Sequence, residues 1–257
     1  MPGSLCVVGT GIRAITQTTP EALACIESAQ KVYCVLGDPL ARHWLLRRNP
    51  STESLMRFYA PGKHRLATYR DVVDRVVSKV REGVAVCMVT TGHPGVFSYA
   101  AHEMLRVARS EGYPARMLPG ISAEDCLFAD LGIDPSEGCQ SYEATGFVVG
   151  RPPIDRYSSL VLWQIGSIGE PGFKRGRDAW NPSGVALLAE VLTETYGPNH
   201  EVTVYEAARY AFSNPVVQRV TLAQLRAAPV SVLSTLYVPR SAPRPADPAM
   251  AQRLRAR

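Results

Sequence analysis

The run Val84-Ala85-Val86-Cys87-Met88-Val89, followed by Thr90-Thr91-Gly92-His93-Pro94-Gly95-Val96-Phe97, decides the fold class. Six almost uninterrupted apolar residues, several β-branched, are too short for a helix and read as a strand buried on both faces, the mark of a parallel sheet. The loop after it lies at the strand's carboxyl end, where open α/β sheets bind ligands. Gly92 and Gly95 let a ligand approach the backbone, and Pro94 stiffens the loop. The same residues also read as a tight turn with an incidental histidine. His93 has no second histidine at ligand spacing, so no metal is expected there.

Working outward, Leu66, Tyr69, Val73, Val76, Val77 and Val80 recur at helical spacing over 66–82, with charged residues on the other face. Leu5–Val8 reads as the first strand, ending in Gly9-Thr10-Gly11. Ala14 breaks a full Gly-x-Gly-x-x-Gly, so this is either half a nucleotide fingerprint or a plain strand-to-loop turn. No Walker lysine pattern follows, which removes a P-loop ATPase. Thr19-Pro20-Glu21 opens a helix over 20–30; Val32–Leu36 is a strand, and 40–48 a helix stopped by Pro50. Downstream come a helix over 99–110, a strand Ala115–Leu118 and a helix over 123–131 capped by Ser122. Beyond Asp134-Pro135, strands are expected at Ser159–Ile165, Glu201–Glu206, Val216–Val220 and Val232–Val238, with a helix at 184–195. The glycine-rich stretch 166–183 reads as a long loop.

Strands alternating with helices predict an α/β protein of two α/β domains with a cleft between them. The boundaries fall at 1–119 and 120–239, with a Pro/Ala/Arg-rich tail at 240–257. That tail holds five arginines against one aspartate, so it carries four of the five surplus positive charges and the body is nearly neutral. Such a distribution argues against nucleic acid and a membrane surface as partners. The six cysteines form no CxxC pair and read as reduced thiols of a cytoplasmic protein. No signal peptide opens the chain, and nowhere do 18 apolar residues run together.

A second constellation lies in Tyr59-Ala60-Pro61-Gly62-Lys63-His64-Arg65-Leu66-Ala67-Thr68-Tyr69. Arg65 and Tyr69 stand at i, i+4, within reach of each other, and a guanidinium beside a phenol would favour the phenolate. A core tyrosine with a surface arginine fits the same spacing.

At these segments the sequence resembles the borosin α-N-methyltransferases, a branch of the tetrapyrrole-methylase class of S-adenosylmethionine-dependent enzymes. The likeness rests on Gly92–Phe97, on the run Glu111–Pro135 and on Gly62-Lys63 with Arg65, Thr68 and Tyr69. Further matches are Trp163–Gly166, Tyr196-Gly197-Pro198 with His200, and Ser234-Thr235, in order over residues 4 to 239. The resemblance implies two α/β domains with S-adenosylmethionine held between them, no metal, and S-adenosylhomocysteine as product. It implies methylation of backbone amides of a ribosomally made precursor peptide by a homodimer. Because the chain stops at Arg257 without an apolar core-peptide stretch, it resembles the split bacterial arrangement: the precursor is a separate protein, and the pair a heterotetramer. Tyr59, Arg65 and Tyr69 fall at the catalytic positions. Thr91, His93, Val96, Phe97, Ala123, Gln164, Ala207, Ser234 and Thr235 fall at the donor site. Thr91 and Met56 each replace a tyrosine that relatives carry. Two rival readings are a methyltransferase for a tetrapyrrole-like small molecule and a non-catalytic protein that binds donor and peptide.

Overall fold

In the computed structural model the structure describes residues 2–173, 176 and 180–255, and the chain divides into two compact units. The first comprises Met1–Ile133 with Glu170–Gly176 and Glu206–Val216; the second comprises Asp134–Gly169, Arg177–Tyr205 and Val217–Arg257.

The first unit holds strands β1 (Ser4–Gly9), β2 (Lys31–Val35), β3 (Glu53–Ser54), β4 (Ala85–Thr90) and β5 (Ala115–Met117) in the order β3-β2-β4-β1-β5. Every pairing is parallel, as the apolar runs require. Helices α1 (Pro20–Ser28) and α2 (Pro39–Arg48) bury Ile26 and Leu45 with Val8, Cys34 and Val89 on one face. Helices α3 (Arg65–Arg81) and α4 (Tyr99–Ser110) bury Val73, Val76, Val77 and Met104 with Leu5, Val7 and Met88 on the other. The helix starts follow the caps: Thr19 accepts from the Ala22 N–H ahead of Pro20, and Asp38 from the Leu40 N–H ahead of Pro39. Ser122 and Asp125 form a reciprocal capping box on α5 (Ala123–Leu131).

The first unit continues through α5, past the expected boundary near 120. Leu118 N–H bonds the Val7 carbonyl, Gln17 reaches Cys126 on α5, and the chain leaves only after Gly132 turns left-handed at φ +66°.

The second unit is built on β6 (Cys139–Glu143), β7 (Ser159–Trp163), β8 (Glu201–Glu206), β9 (Val216–Thr221) and β10 (Thr235–Val238), in the order β6-β7-β10-β8-β9. It also carries α6 (Ala144–Gly150), α7 (Pro182–Tyr196), α8 (Leu222–Leu225) and α9 (Pro248–Arg255). β6 runs parallel to β7, whereas β10 is antiparallel to both neighbours, so the sheet is mixed. Leu160, Leu162, Leu188, Leu192 and Leu236 form its core. The expected tail is instead structured over its described part. Arg240 pairs with Glu137, Arg244 with Asp155, the Ser241 N–H bonds the Arg156 carbonyl, and α9 follows. Two of the tail's arginines thus neutralise carboxylates of their own unit. No helix among the described residues is long and apolar enough to cross a membrane.

Candidate active site

In the first unit β1 and β4 lie side by side, yet the chain leaves β1 toward the α1/α2 face and β4 toward the α3/α4 face. Such a divergence opens a crevice beyond the carboxyl ends of the two strands. Both loops are locked there. Gly11 N–H bonds Gly92 O (3.3 Å) and Gly92 N–H bonds Gly11 O (2.9 Å). A Cβ on Gly9 would stand 1.9 Å from the Gly92 oxygen, and one on Gly120 2.8 Å from it. The glycines therefore bring backbone against backbone, and Gly9-Thr10-Gly11 acts as a packing turn that meets the second loop.

The loop 91–97 is held from within. His93 Nδ1 accepts the Gly95 N–H (2.9 Å), which fixes the imidazole with any neutral-state proton on Nε2. Val96 N–H closes the turn on His93 O (3.2 Å), and His102 Nε2 on α4 bonds Gly95 O (2.9 Å). Phe97 sits at φ +49°, a left-handed conformation that costs a bulky residue about 1–3 kcal/mol, and its ring is 42% exposed. Strain next to a concave site is where ligand contacts are to be sought.

Tyr59, Tyr69, Thr90, Thr91, His93, Val96, Phe97 and Tyr99 surround one cavity of about 250 Å³ floored by the buried Met88 and Met104. Two of these, Thr90 and Tyr99, have no signal in the sequence pattern. Thr90 Oγ1 is buried without a hydrogen-bond partner, an atom that asks for one from a ligand or water. Tyr99 opens α4, half-exposed, with its ring 6.0 Å from that of Tyr69.

Tyr59 differs from its neighbours. Its ring meets Phe173 edge-on at 5.5 Å, because residues 170–173 lie along 61–65: His64 bridges Gly172, Pro61 bridges Phe173, and Arg65 N–H bonds Pro171 O (2.8 Å). Burial, with a smaller contribution from Tyr69, pushes the Tyr59 phenol up to about 12. Arg65 is half-buried at the first position of α3, it does not line the cavity, and no side-chain partner is seen for it among the described residues. The expected Arg65–Tyr69 contact is not formed.

The other expected donor residues lie apart from this cavity's lining. Ala123 opens α5, and Ala207 follows β8 in the segment that returns to the first unit. Gln164, Ser234 and Thr235 belong to the second unit. There Gln164 is left-handed at φ +60°, Ser234 is fully buried and accepts the Ser231 N–H (2.9 Å), and extending the β7–β10 register sets residue 234 opposite 164.

The chain belongs to the tetrapyrrole (corrin/porphyrin) methylase family, whose pattern matches residues 4–226. Its fold is also that of a uroporphyrin-III-C-methyltransferase from Thermus thermophilus, at a TM-score of 0.65 and 19% identity over 94% of each chain. More similar in sequence is the methyltransferase/ribosomally synthesized cyclic peptide dendrothelin A precursor of Dendrothele bispora, 45% identical over 94% of this chain and 58% of that protein. The methyltransferase/ribosomally synthesized type I borosin cyclic peptide precursor of Coprinopsis marcescibilis is 40% identical over 94% of this chain and 63% of its own length. The chain therefore spans about three fifths of the length of each of these two relatives.

Proposed function

We propose that this chain transfers methyl groups from S-adenosylmethionine to backbone amide nitrogens of a peptide supplied as a separate polypeptide. The observation that carries the reading is a cavity with two phenols in unequal surroundings, Tyr59 held protonated beside Tyr69. The sequence likeness to methyltransferases that are also cyclic-peptide precursors supports the peptide as substrate.

The residues present fit the donor. Thr90 Oγ1 lacks a partner, and Val96 and Phe97 offer apolar surface on which the donor's adenine ring can pack. When bound, S-adenosylmethionine supplies the electrophilic methyl group. The chain's own work is to make the amide nitrogen nucleophilic. An amide N–H is a very weak acid, so the proton must leave while charge on the carbonyl oxygen is stabilised. Tyr59, which keeps its proton, serves as hydrogen-bond donor to that oxygen. Tyr69, once its own hydroxyl proton has passed to solvent, takes the amide proton as the phenolate. Arg65, which opens α3 one turn before Tyr69 and does not itself line the cavity, is given by the resemblance the role of second donor to the oxygen.

Incubation with donor and a synthetic precursor peptide, read by tandem mass spectrometry, tests the proposal. Stepwise methyl gain on backbone amides is expected. Gain confined to side chains, or methylation of a porphyrinoid in place of the peptide, would refute it. Tyr69→Phe should abolish turnover while donor binding by calorimetry persists. The resemblance also supports a homodimer, which sedimentation of the chain with and without peptide checks.

A further inference from the structure

The end of the first sheet opposite the candidate active site carries a second cavity, of about 420 Å³, at the amino ends of β1, β4 and β5. Three cysteines and an arginine line it: Cys6, Cys25, Cys87 and Arg116. Strand register explains why they meet. Cys6 on β1 pairs with Cys87 on β4 and with Arg116 on β5, forming a row across the sheet, and Cys25 of α1 reaches Cys6. The Cys6 and Cys25 sulfurs are 3.4 Å apart, in van der Waals contact and unbonded. Both residues are half-buried rather than sealed in the core, whereas Cys34 and Cys87 are buried.

Hydrogen bonding at the pair is directional. Cys6 S–H donates to Cys25 Sγ, and Arg116 Nη2 donates to the same sulfur at 3.4 Å. Arg116 also hydrogen-bonds the Cys6 sulfur, so one guanidinium faces both thiols, the electropositive setting in which reactive cysteines occur. Among the described residues no group of three His, Cys, Asp or Glu side chains is arranged to hold a metal ion. Thiol chemistry, not metal binding, is what this geometry supports.

We infer that Cys6 and Cys25 form a peroxide-oxidisable dithiol, with Cys25 as attacking thiol, Cys6 as resolving thiol and Arg116 as the positioning cation. Cys25 sulfur attacks one peroxide oxygen, the O–O bond breaks, and hydroxide leaves to give the sulfenic acid and, with a proton, one water. Cys6 sulfur then attacks the Cys25 sulfur; the S–O bond breaks, the Cys6 thiol proton goes to the departing hydroxide, and a second water forms. In sum, two thiols and one peroxide become one disulfide and two waters, the sulfurs losing the two electrons that the peroxide gains. The sulfurs must close from 3.4 Å to about 2.05 Å, a movement of the order of a side-chain rotation for a helix residue against a strand. Burial pushes the Cys6 thiol up to about 12, with Cys25 adding to it and Arg116 opposing it, in keeping with Cys6 entering second.

The test is to treat the full chain with hydrogen peroxide and map its disulfides by non-reducing peptide mass spectrometry. The expected product lacks two hydrogens, joins the peptides containing Cys6 and Cys25, and reverts with dithiothreitol. Cys25→Ser should lose the cross-link, Cys139→Ser should retain it, and Arg116→Ala should form it several-fold more slowly. Circular dichroism would confirm that each variant is folded. In Cys6→Ser, Cys25 should stop at a sulfenic acid trapped by dimedone. A link between other cysteines, over-oxidation without a link, or no reaction under conditions that oxidise free cysteine would overturn the inference. Should Cys25→Ser fail to fold, dimedone trapping in Cys6→Ser and the Arg116→Ala rate decide it.

Discussion

Replacing Tyr59 by Phe isolates the property on which the division of roles rests. In the folded chain the phenol holds its proton to about pH 12; in the unfolded chain it lets go near 10. Its folded-state pKa is raised, so the stability it contributes is fully present below pH 10 and is lost as the pH climbs toward 12. Over the whole interval the loss approaches about 3 kcal/mol, and at about pH 11.5 it amounts to about 2 kcal/mol. Urea denaturation followed by tryptophan fluorescence, at steps from about pH 9 to 11.5, measures it as the difference between the unaltered chain and Tyr59→Phe. Tyr196 is also pushed up to about 12 by burial, but it is common to both proteins and cancels. The variant should retain about 2 kcal/mol that the unaltered chain loses over this range. Phe173→Ala should shift the step back toward pH 10, because the edge contact at 5.5 Å contributes to the burial. A difference that stays flat with pH would show that Tyr59 is not shielded and would remove the reason for assigning it the donor role.

Gly9→Ala places a Cβ 1.9 Å from the Gly92 oxygen, a collision with backbone that should cost about 2–4 kcal/mol in urea titrations and weaken donor binding by calorimetry. Glu53 accepts from Lys31, Arg57 and Arg75; burial raises its carboxyl, but those three cations outweigh it and hold the group down at about 2. Glu53→Gln should therefore destabilise by about 1–3 kcal/mol at neutral pH, with the difference shrinking as the pH falls from 4.5 toward 2, as chemical denaturation at both ends would show. Arg65→Ala should leave the unfolding midpoint within about 0.5 kcal/mol of the original and lower methyl transfer, read by mass spectrometry, by about 10²–10³-fold.

The elements that could be read from sequence are those whose local pattern and buried face agree. Val84–Val89 and Leu5–Val8 are apolar because both faces of a central parallel strand are covered, and they lie within a residue of the observed β4 and β1. Pro20 and Pro39 mark α1 and α2 at their first residues. By contrast β6, Cys-Gln-Ser-Tyr-Glu, is polar and half-exposed, and it becomes a strand only through its parallel ladder to β7. Likewise Arg240 and Arg244 read as surplus charge because their acceptors, Glu137 and Asp155, are about a hundred residues away along the chain.

Of the residues expected at the site, Tyr59, Tyr69, Thr91, His93, Val96 and Phe97 line one cavity, whereas Arg65 does not. The family resemblance implied a common site for Tyr59 and Tyr69, and both line the cavity at the strand-end loop. Spacing also suggested that Arg65 would meet Tyr69, yet Arg65 opens the helix, where side chains lean back toward an amino-terminal turn that does not exist to hold them. What separates one phenol from the other is a contact at long range: residues 170–173 cross 61–65 and set Phe173 against Tyr59. No local pattern reveals which of two tyrosines will be desolvated, because desolvation depends on what packs over the ring rather than on the residue that carries it. The protonation preference that suits Tyr59 to the proposed donor role is therefore a property of the docked 170–173 segment as much as of the tyrosine, and a substitution in either should move it.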